Sequence, residues 1–456
     1  MRFLSAKAAA SSLLGVLCVA AIALDWPGHL SNDSVLELLE GRTGRYESWH
    51  PAITSWLLGL ADSLTGNAGL FVVFTTALLY AALLLLVRIP RRASWLALPA
   101  ILLCAATPQF FLYPGYVWKD VLFAESAVAG FACLAFAAAR WQQSRQRLAF
   151  TVLSIFLLAL AALARQNGIA AALMAIPACF LIARRNAAGT RAALMQAFLY
   201  LLTLIVVVAV STVVLDSRGD HGRGKADEIK MLQLYDFAAV AHRDPAFRFE
   251  DLEARDPVFA RLIRSDGARL FSPERVDTLA GSQRLGEARD DAPAGLMTEQ
   301  WLDIVTRHLP LYLNVRAGIF RWVFLTPDID RCVPFIVGVF GPSEILQALH
   351  MKPRSDRRDA AIESYAQFFV GTPVFSHAFF ALIGIAVVVF LLRRRSAPDI
   401  AIIFLLAASA AFALTFFSIS LACDYRYLYF LDVASMAGAI YAVGSRRSAA
   451  SQVSST

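Results

Sequence analysis

The sequence predicts an all-helical membrane protein that crosses a bilayer about ten times. Of its 456 residues, 58% are hydrophobic and 17% are charged, whereas soluble domains have about 45–50% apolar and about 25% charged residues. The formal net charge of +7 could suit a nucleic-acid-binding protein. The basic residues, however, stand in short clusters between long apolar runs, and this arrangement is typical of topology signals.

Ten apolar runs approach the length of roughly 20 residues that a transmembrane helix needs. They are 8–24, 68–87, 94–107, 120–139, 148–164, 168–183, 194–215, 374–392, 399–421 and 427–444. Arginine and lysine cluster in every second loop, at 2–7, 88–92, 140–147, 184–191, 393–395 and 446–447. Because such clusters mark the cytoplasmic side, both termini are predicted to be cytoplasmic. The first run could instead be a cleaved signal peptide. The predicted topology of the later spans would be the same in that case.

These runs divide the chain into three parts. Residues 1–215 form an N-terminal module of seven spans, residues 216–373 form an outside or interfacial segment, and residues 374–456 form a module of three spans. In the outside loop 25–67, we predict a helix that Gly41 and Gly44 break, and Pro51 opens a second helix.

The outside segment 216–373 has near-normal soluble composition. It contains an amphipathic stretch at 231–241, and the mixed aromatic and arginine stretch 301–325 is predicted to lie in the membrane interface. Cys332 and Cys423 both fall on the oxidising side and could pair, although spacing alone cannot show a disulfide.

Polar residues gather at the outer ends of several spans, beginning with Asp33 and His50. Asp33 follows the first span in Ser31-Asn32-Asp33-Ser34, where it is either a helix cap or a general base at the membrane surface. His50, in Trp49-His50-Pro51, is either an ordinary loop histidine or a partner for a phosphate.

Two further clusters lie at the ends of later spans. Lys119 and Asp120 follow an aromatic turn, and Glu125 lies deeper in the same span, where a carboxylate is costly and normally has a partner. Lys119 is either a snorkelling lysine or a ligand for a lipid phosphate. Arg165, in Arg165-Gln166-Asn167-Gly168, breaks the charge pattern, and its guanidinium suits a phosphate or carboxylate.

The last cluster is Asp424-Tyr425-Arg426-Tyr427, with Asp432 deeper in the final span. It is either an aromatic belt with one ion pair or a contact for a phosphate or sugar. All five clusters are predicted on one face of the membrane. Such an arrangement suits a substrate with a lipid tail and a polar head.

In order and topology, the chain resembles the GT-C glycosyltransferases, polytopic enzymes that use polyprenyl-phosphate sugars. This class includes protein O-mannosyltransferases and the aminoarabinose transferases of lipid A. The motifs Asn-Asp-Ser, Trp-His-Pro, Trp-Lys-Asp, Arg-Gln-Asn-Gly and Tyr-Arg-Tyr resemble a bacterial branch of the class. The class often has a Lys/His-Pro-Pro element before the second span, and Trp49-His50-Pro51-Ala52 lacks its second proline.

The resemblance implies an inner-membrane enzyme with its active site on the periplasmic face. Asp33 would be the general base for an acceptor hydroxyl, and transfer would proceed with inversion. The residues His50, Lys119, Arg165 and Arg426 would bind the donor phosphate.

Supporting roles would fall to Asp120, Glu125, Asn167 and Tyr425. Asp120 could orient Lys119 or bind a divalent metal. No metal is expected to be required, because no tight carboxylate cluster is apparent. The implied partners are a polyprenyl-phosphate-linked sugar and an acceptor that is a lipopolysaccharide, another glycan or a protein; no nucleic acid is expected.

Two other functions remain open from the sequence. An O-antigen ligase or polymerase could use Arg307-His308 and Arg316 of the long outside segment. A transporter or flippase of a lipid-linked sugar would place charges near the membrane midplane, where Glu125 and Asp432 are the candidates.

Overall fold

The computed structural model describes residues 5–46, 50–91, 93–186, 189–216 and 224–445. Every regular element in these ranges is a helix, apart from isolated β-bridges. The prediction of an all-helical polytopic membrane protein is therefore confirmed. Trp49 lies outside the described ranges, as do four arginines of the charged clusters, Arg2, Arg92, Arg446 and Arg447.

The first part of the chain forms eleven helices. They are α1 (Ala6–Asp25), α2 (Asn32–Thr43), α3 (Ala52–Thr65), α4 (Gly69–Arg88), α5 (Ala97–Ala105), α6 (Pro108–Phe111), α7 (Lys119–Ala139), α8 (Ser144–Ala164), α9 (Ile169–Leu173), α10 (Ala175–Arg185) and α11 (Thr190–Asp216).

Eight further helices follow, all shorter than α11. They are α12 (Gly224–Arg243), α13 (Glu250–Arg255), α14 (Pro257–Leu262), α15 (Ala268–Leu270), α16 (Asp277–Ala280), α17 (Gln283–Asp291), α18 (Leu296–Arg307) and α19 (Leu309–Leu325). The predicted stretch 301–325 is thus two helices that meet at His308 rather than one.

The last part contains α20 (Ser343–Ala348), α21 (Arg357–Gln367), α22 (His377–Arg394), α23 (Ala397–Ile419) and α24 (Tyr429–Gly444). Short 3-10 turns occur at Tyr113–Gly115, Ile329–Cys332, Pro373–Phe375 and Tyr425–Leu428.

Eight helices of the described chain are long and apolar enough to cross a membrane, namely α1, α4, α7, α8, α11, α22, α23 and α24 with its preceding turn. The run at 94–107 becomes α5 and the Pro108–Gly115 segment, which are bent by 86° and would make a ninth span. Thr107 is extended immediately before Pro108, and the residue before a proline disfavours the helical region.

The run at 168–183 becomes α9 and α10, neither of which is long enough to cross a membrane by itself. Pro177 has no backbone N–H to donate to Leu173, and a proline in this position breaks a helix. The structure therefore supports eight or nine spans where the hydropathy pattern alone predicts ten.

The chain divides into two compact units. The first contains the described residues of Met1–Gly219, Phe335–Phe412 and Leu428–Thr456. The second contains those of Asp220–Pro334 and Ala413–Tyr427. The stretch 335–373, which the sequence groups with the outside segment, belongs to the first unit.

The second unit has its own hydrophobic core. Helix α12 lies at its centre, with Tyr235, Phe237 and Val240 fully buried among apolar residues of α13, α14, α18 and α19. Arg316 and Asp236 form an ion pair of 2.7 Å between side chains with no exposed surface. Cys332 and Cys423 are joined by a disulfide, which answers the question that their spacing left open.

Helices α2 and α3 approach each other at two glycines. A Cβ atom added to Gly41 would lie 2.8 Å from the backbone of Gly59, and one added to Gly59 would lie 2.6 Å from the backbone of Gly41. The prediction that Gly41 breaks α2 is therefore wrong. Gly41 instead permits this close packing. Helix α2 ends instead at Gly44, whose φ of 68° is in the left-handed region favoured by glycine.

Candidate active site

Helix α2 begins with a capping arrangement in which Ser31, and not Asp33, is the N-cap residue. Ser31 is the N-cap residue, and its backbone N–H donates to Ser34 Oγ at 3.1 Å. Asp33 is the second residue of the helix and is half-buried. Since Ser31 caps the helix, the cap interpretation of Asp33 is wrong, and a carboxylate in the first turn is favoured by the helix dipole.

The first turn of α2 is held against the residues that precede α7. Ser34 Oγ donates to the carbonyl oxygen of Val117 at 2.7 Å, and Trp118 Nε1 donates to Ser31 Oγ at 2.9 Å. All these groups are buried. Lys119 follows directly as the first residue of α7, so these bonds bring the start of α7 to the start of α2.

His50, in the segment before α3, is held by an acid of α2. His50 Nδ1 lies 3.2 Å from Glu40 Oε1, and Ser55 Oγ donates to Glu40 Oε2 at 2.6 Å. Burial lowers the pKa of His50, but the hydrogen bond to Glu40 and the nearby Glu37 outweigh it, so the net shift is upward. Nδ1 therefore faces Glu40, and Nε2 is the other ring nitrogen through which an imidazole can bind an anion.

Glu37 is the residue of this region that the sequence does not reveal. It is one turn after Asp33, is 1% exposed, and has no hydrogen-bond partner for either carboxylate oxygen among the described residues. The charges that act on it are those of His50, Lys119, Asp33 and Glu40. We call these five residues the α2 cluster.

Arg165 and Asp120 form an ion pair next to Lys119. The Asp120 side chain is 2% exposed and that of Arg165 is 12% exposed. Helix α8 ends at Ala164 because Arg165 is extended, and the guanidinium also lies 5.9 Å from the ring centroid of Phe412. Asp120 therefore orients Arg165. Asn167 is half-buried in the turn that follows.

A second buried network holds the loop after α1, and sequence reasoning missed it. Gly338 N–H donates to His29 Nδ1 at 3.0 Å, so the ring proton belongs on Nε2, which lies 3.3 Å from Asp25 Oδ1. Arg354 donates to the carbonyl oxygen of Gly28 at 3.0 Å and pairs with Asp359. This network fixes the backbone just before the α2 cluster.

The acids inside the spans have partners, as expected for carboxyls in that environment. Tyr429 Oη lies 3.5 Å from Glu125 Oε1 and donates to the carbonyl oxygen of Gln109 at 3.0 Å. Asp432 pairs with His377 at 3.0 Å. All four ionisable side chains are buried, and they join α7 and α22 to α24.

The remaining predicted residues belong to the second unit. Arg426 pairs with Asp424 at 3.1 Å, and Tyr425 is fully buried. Arg316, a residue of the ligase alternative, is bound to Asp236 and donates to the carbonyl oxygen of Ser420 at 3.0 Å. Its guanidinium is therefore committed to the core of that unit.

Within the described ranges, no group of three or more His, Cys, Asp and Glu side chains has an arrangement suited to a metal ion. The expectation that no metal is required stays a prediction of the sequence alone.

Comparisons with known proteins give a weak structural likeness. No family model matches the chain, and no curated protein matches it. The oligosaccharyltransferase AglB of Archaeoglobus fulgidus, solved with an inhibitory peptide and a dolichol-phosphate, is 16% identical with a TM-score of 0.42, over 95% of this chain and 50% of that one.

The apo form of the A. fulgidus oligosaccharyltransferase gives the same identity and TM-score over 96% of this chain and 52% of that one. The chain thus spans about half the length of these structures. At this TM-score the likeness assigns neither a fold family nor an activity.

Proposed function

We propose that this protein is a GT-C-type glycosyltransferase of the bacterial inner membrane, which moves a sugar from a polyprenyl-phosphate donor to an acceptor at the periplasmic face. The observation that carries the proposal is the α2 cluster. A half-buried carboxylate, Asp33, and two cationic side chains, His50 and Lys119, come from three separate segments and act on one buried carboxyl.

The cluster supplies the two functions that sugar transfer from a lipid phosphate needs. Asp33 accepts the proton of the acceptor hydroxyl. The oxygen attacks the anomeric carbon from the side opposite the phosphate, and the carbon–oxygen bond to the phosphate breaks with inversion. The bonding electron pair leaves with the phosphate, so a negative charge develops there, and fixed cations stabilise it.

His50, Lys119 and Arg165 are the proposed cations of the phosphate site. His50 is oriented by Glu40, and Arg165 is oriented by Asp120. Asn167 and Glu125 have supporting roles. The donor is a polyprenyl-phosphate-linked sugar, and the acceptor is a lipopolysaccharide, another surface glycan or a protein.

Substitution of Asp33 tests the assignment of the base. In purified protein supplied with lipid-linked sugars and an envelope glycan acceptor, Asp33→Asn is expected to lower transfer by at least about 100-fold, the usual contribution of a general base. Release of polyprenyl phosphate measures the reaction. The matched control is Asp328→Asn, a carboxylate with a half-exposed side chain in the second unit, which is expected to retain activity.

The alternatives predict different results in the same assay. If His308→Ala abolishes transfer and Asp33→Asn does not, the protein is a ligase or polymerase. If the wild-type protein moves labelled lipid between leaflets without releasing polyprenyl phosphate, it is a transporter. The specific support for transport is the buried pair of His377 and Asp432 together with Glu125.

A further inference from the structure

Glu37 is a buried carboxyl for which the proposed reaction provides no role. It is 1% exposed, and neither carboxylate oxygen has a hydrogen-bond partner among the described residues. An isolated carboxylate in such a place is very unfavourable, so buried carboxyls are normally paired or protonated. A role for Glu37 in the α2 cluster would therefore involve both the charged and the neutral form of its carboxyl.

Charges of both signs surround Glu37. Asp33 and Glu40 are on its own helix, His50 comes from the segment before α3, and Lys119 comes from the start of α7. His50 and Lys119 favour the carboxylate form of Glu37, and the two acids favour the protonated form.

The other charged groups on elements packed against α2 are occupied or exposed. Arg42, near the end of α2, pairs with Asp62 of α3 at 2.8 Å and donates to the carbonyl oxygen of Leu349. Glu344 of α20 is exposed. The charges that act on the protonation state of Glu37 are thus those of the other four residues of the α2 cluster.

Burial raises the pKa of Glu37 to about 7, against the opposing effect of His50 and Lys119 and with the added effect of Asp33 and Glu40. Near neutral pH, a small change in the surrounding charge is therefore enough to add or remove its proton.

We propose that Glu37 takes up one proton when a lipid-linked phosphate anion binds to His50 and Lys119. The inference rests on the proposed function, because it assumes that this cluster receives the donor phosphate. A phosphate bound to these two side chains would lie near the Glu37 carboxylate. Because the two anions repel each other, binding of one favours the neutral form of the other.

The proton balance is simple. In the empty site Glu37 is largely ionised above pH 7, and the nearby Lys119 and protonated His50 favour that form. When the phosphodiester binds, a proton from solvent adds to a carboxylate oxygen of Glu37, and no covalent bond of the ligand changes. When the lipid phosphate leaves, Glu37 releases that proton. Binding of the anion is therefore coupled to pH.

The test uses the full-length protein in detergent and methyl farnesyl phosphate, a diester whose single charge does not change near neutral pH. Calorimetry at pH 6 and pH 8, in two buffers with different ionisation heats, counts the protons taken up on binding. We expect the wild-type protein to take up about one proton per bound ligand at pH 8 and much less than one at pH 6. Its affinity for the diester should fall up to about tenfold per pH unit above 7.

Glu37→Gln separates this coupling from titration of His50. The variant has no carboxyl to protonate, so it is expected to bind the diester at pH 8 more tightly than wild type and with little proton uptake. Glu40→Gln is the matched control on the same helix. It weakens the hold on His50 and is expected to reduce affinity at both pH values.

The contrary results are distinct. If Glu37→Gln binds more weakly than wild type at pH 8 and keeps the pH slope, His50 is the coupled group and the inference is wrong. If wild type prefers the diester to farnesyl methyl ether but takes up no proton at pH 8, the inference fails and the proposed phosphate site stands. If it binds both alike at each pH, the phosphate site and the inference both fail.

Discussion

At the scale of single residues, the α2 cluster contains side chains that hydrogen bonds hold in place and also a buried carboxyl, that of Glu37. His50 is held through Glu40, which is itself held by Ser55. Glu37 lies beside them, and neither of its carboxylate oxygens has a hydrogen-bond partner within the part of the chain that the structure describes. Buried carboxyls of this kind reduce stability, and proteins keep such unfavourable groups mainly where function requires them.

Glu37 therefore makes folding stability depend on pH in a defined direction. Its pKa is about 7 in the folded protein and 4.5 as a free side chain, so the folded state binds the extra proton between these values. Stability should consequently fall as pH rises from about 4.5 to 7, by up to about 1.4 kcal/mol per pH unit. Glu37→Gln removes this loss, and its thermal midpoint in detergent should exceed that of wild type at pH 8.

The same comparison should show almost no difference near pH 4, where the carboxyl is protonated in both states. Glu344→Gln, at an exposed position of α20, is the control and should not change the midpoint at either pH. A wild-type protein as stable as Glu37→Gln at pH 8 would show that the carboxyl is not buried in the folded state.

The sequence identifies some residues of this site and conceals others for a physical reason. Asp33, His50 and Lys119 can be selected because polar groups next to spans are conspicuous. Glu37 stands in a short amphipathic helix, where a glutamate normally faces water, and its burial arises from contacts with residues distant in sequence. The same holds for His29, whose partners Asp25 and Gly338 are brought together only by folding.

At the scale of helices, the crossing of α2 and α3 determines the geometry of the α2 cluster. The backbones meet at Gly41 and Gly59, which allows Glu40 of α2 to reach both Ser55 of α3 and His50 before it. Backbone contact this close is possible only where there is no Cβ atom, so the two glycines set the separation of the helices.

Gly59→Ala should therefore separate α2 from α3, because its Cβ would lie 2.6 Å from backbone atoms of Gly41. We expect a lower thermal midpoint and reduced transfer activity, both measured on purified protein. Gly318→Ala is the matched control, since nothing lies within 4 Å of an added Cβ inside α19. That change should be neutral or stabilising by about 0.5–1 kcal/mol.

An undiminished midpoint and activity in Gly59→Ala would show that α2 and α3 do not pack at these glycines.

At the scale of the whole molecule, hydropathy predicts the class of protein well and the number of spans less well. The two runs that differ, 94–107 and 168–183, contain or adjoin Pro108 and Pro177, which interrupt their helices. A hydropathy average over a window of residues does not detect that a proline lacks its backbone N–H. The division into two units also cannot be predicted from the order of segments along the chain, because residues 335–412 belong to the same unit as the N-terminal module.

The disulfide of the second unit gives a prediction at this scale. Cys332 and Cys423 are 91 residues apart, and loss of a native disulfide typically costs about 2–5 kcal/mol. Cys423→Ser should lower the thermal midpoint and make it insensitive to reductant, while the wild-type midpoint falls on reduction. Cys104→Ser, at a cysteine without a disulfide, is the control. Equal midpoints for oxidised and reduced wild-type protein would contradict this.

The composition of the second unit also has a consequence for biogenesis. Its last segment, Ala413–Tyr427, is translated only after α22 and most of α23. This segment supplies Leu421 to the core, Ser420 to Arg316 and Cys423 to the disulfide. A nascent chain that has just emerged as far as Pro334 therefore has an unfinished core, and the unit can be completed only after α22 and α23 have been translated.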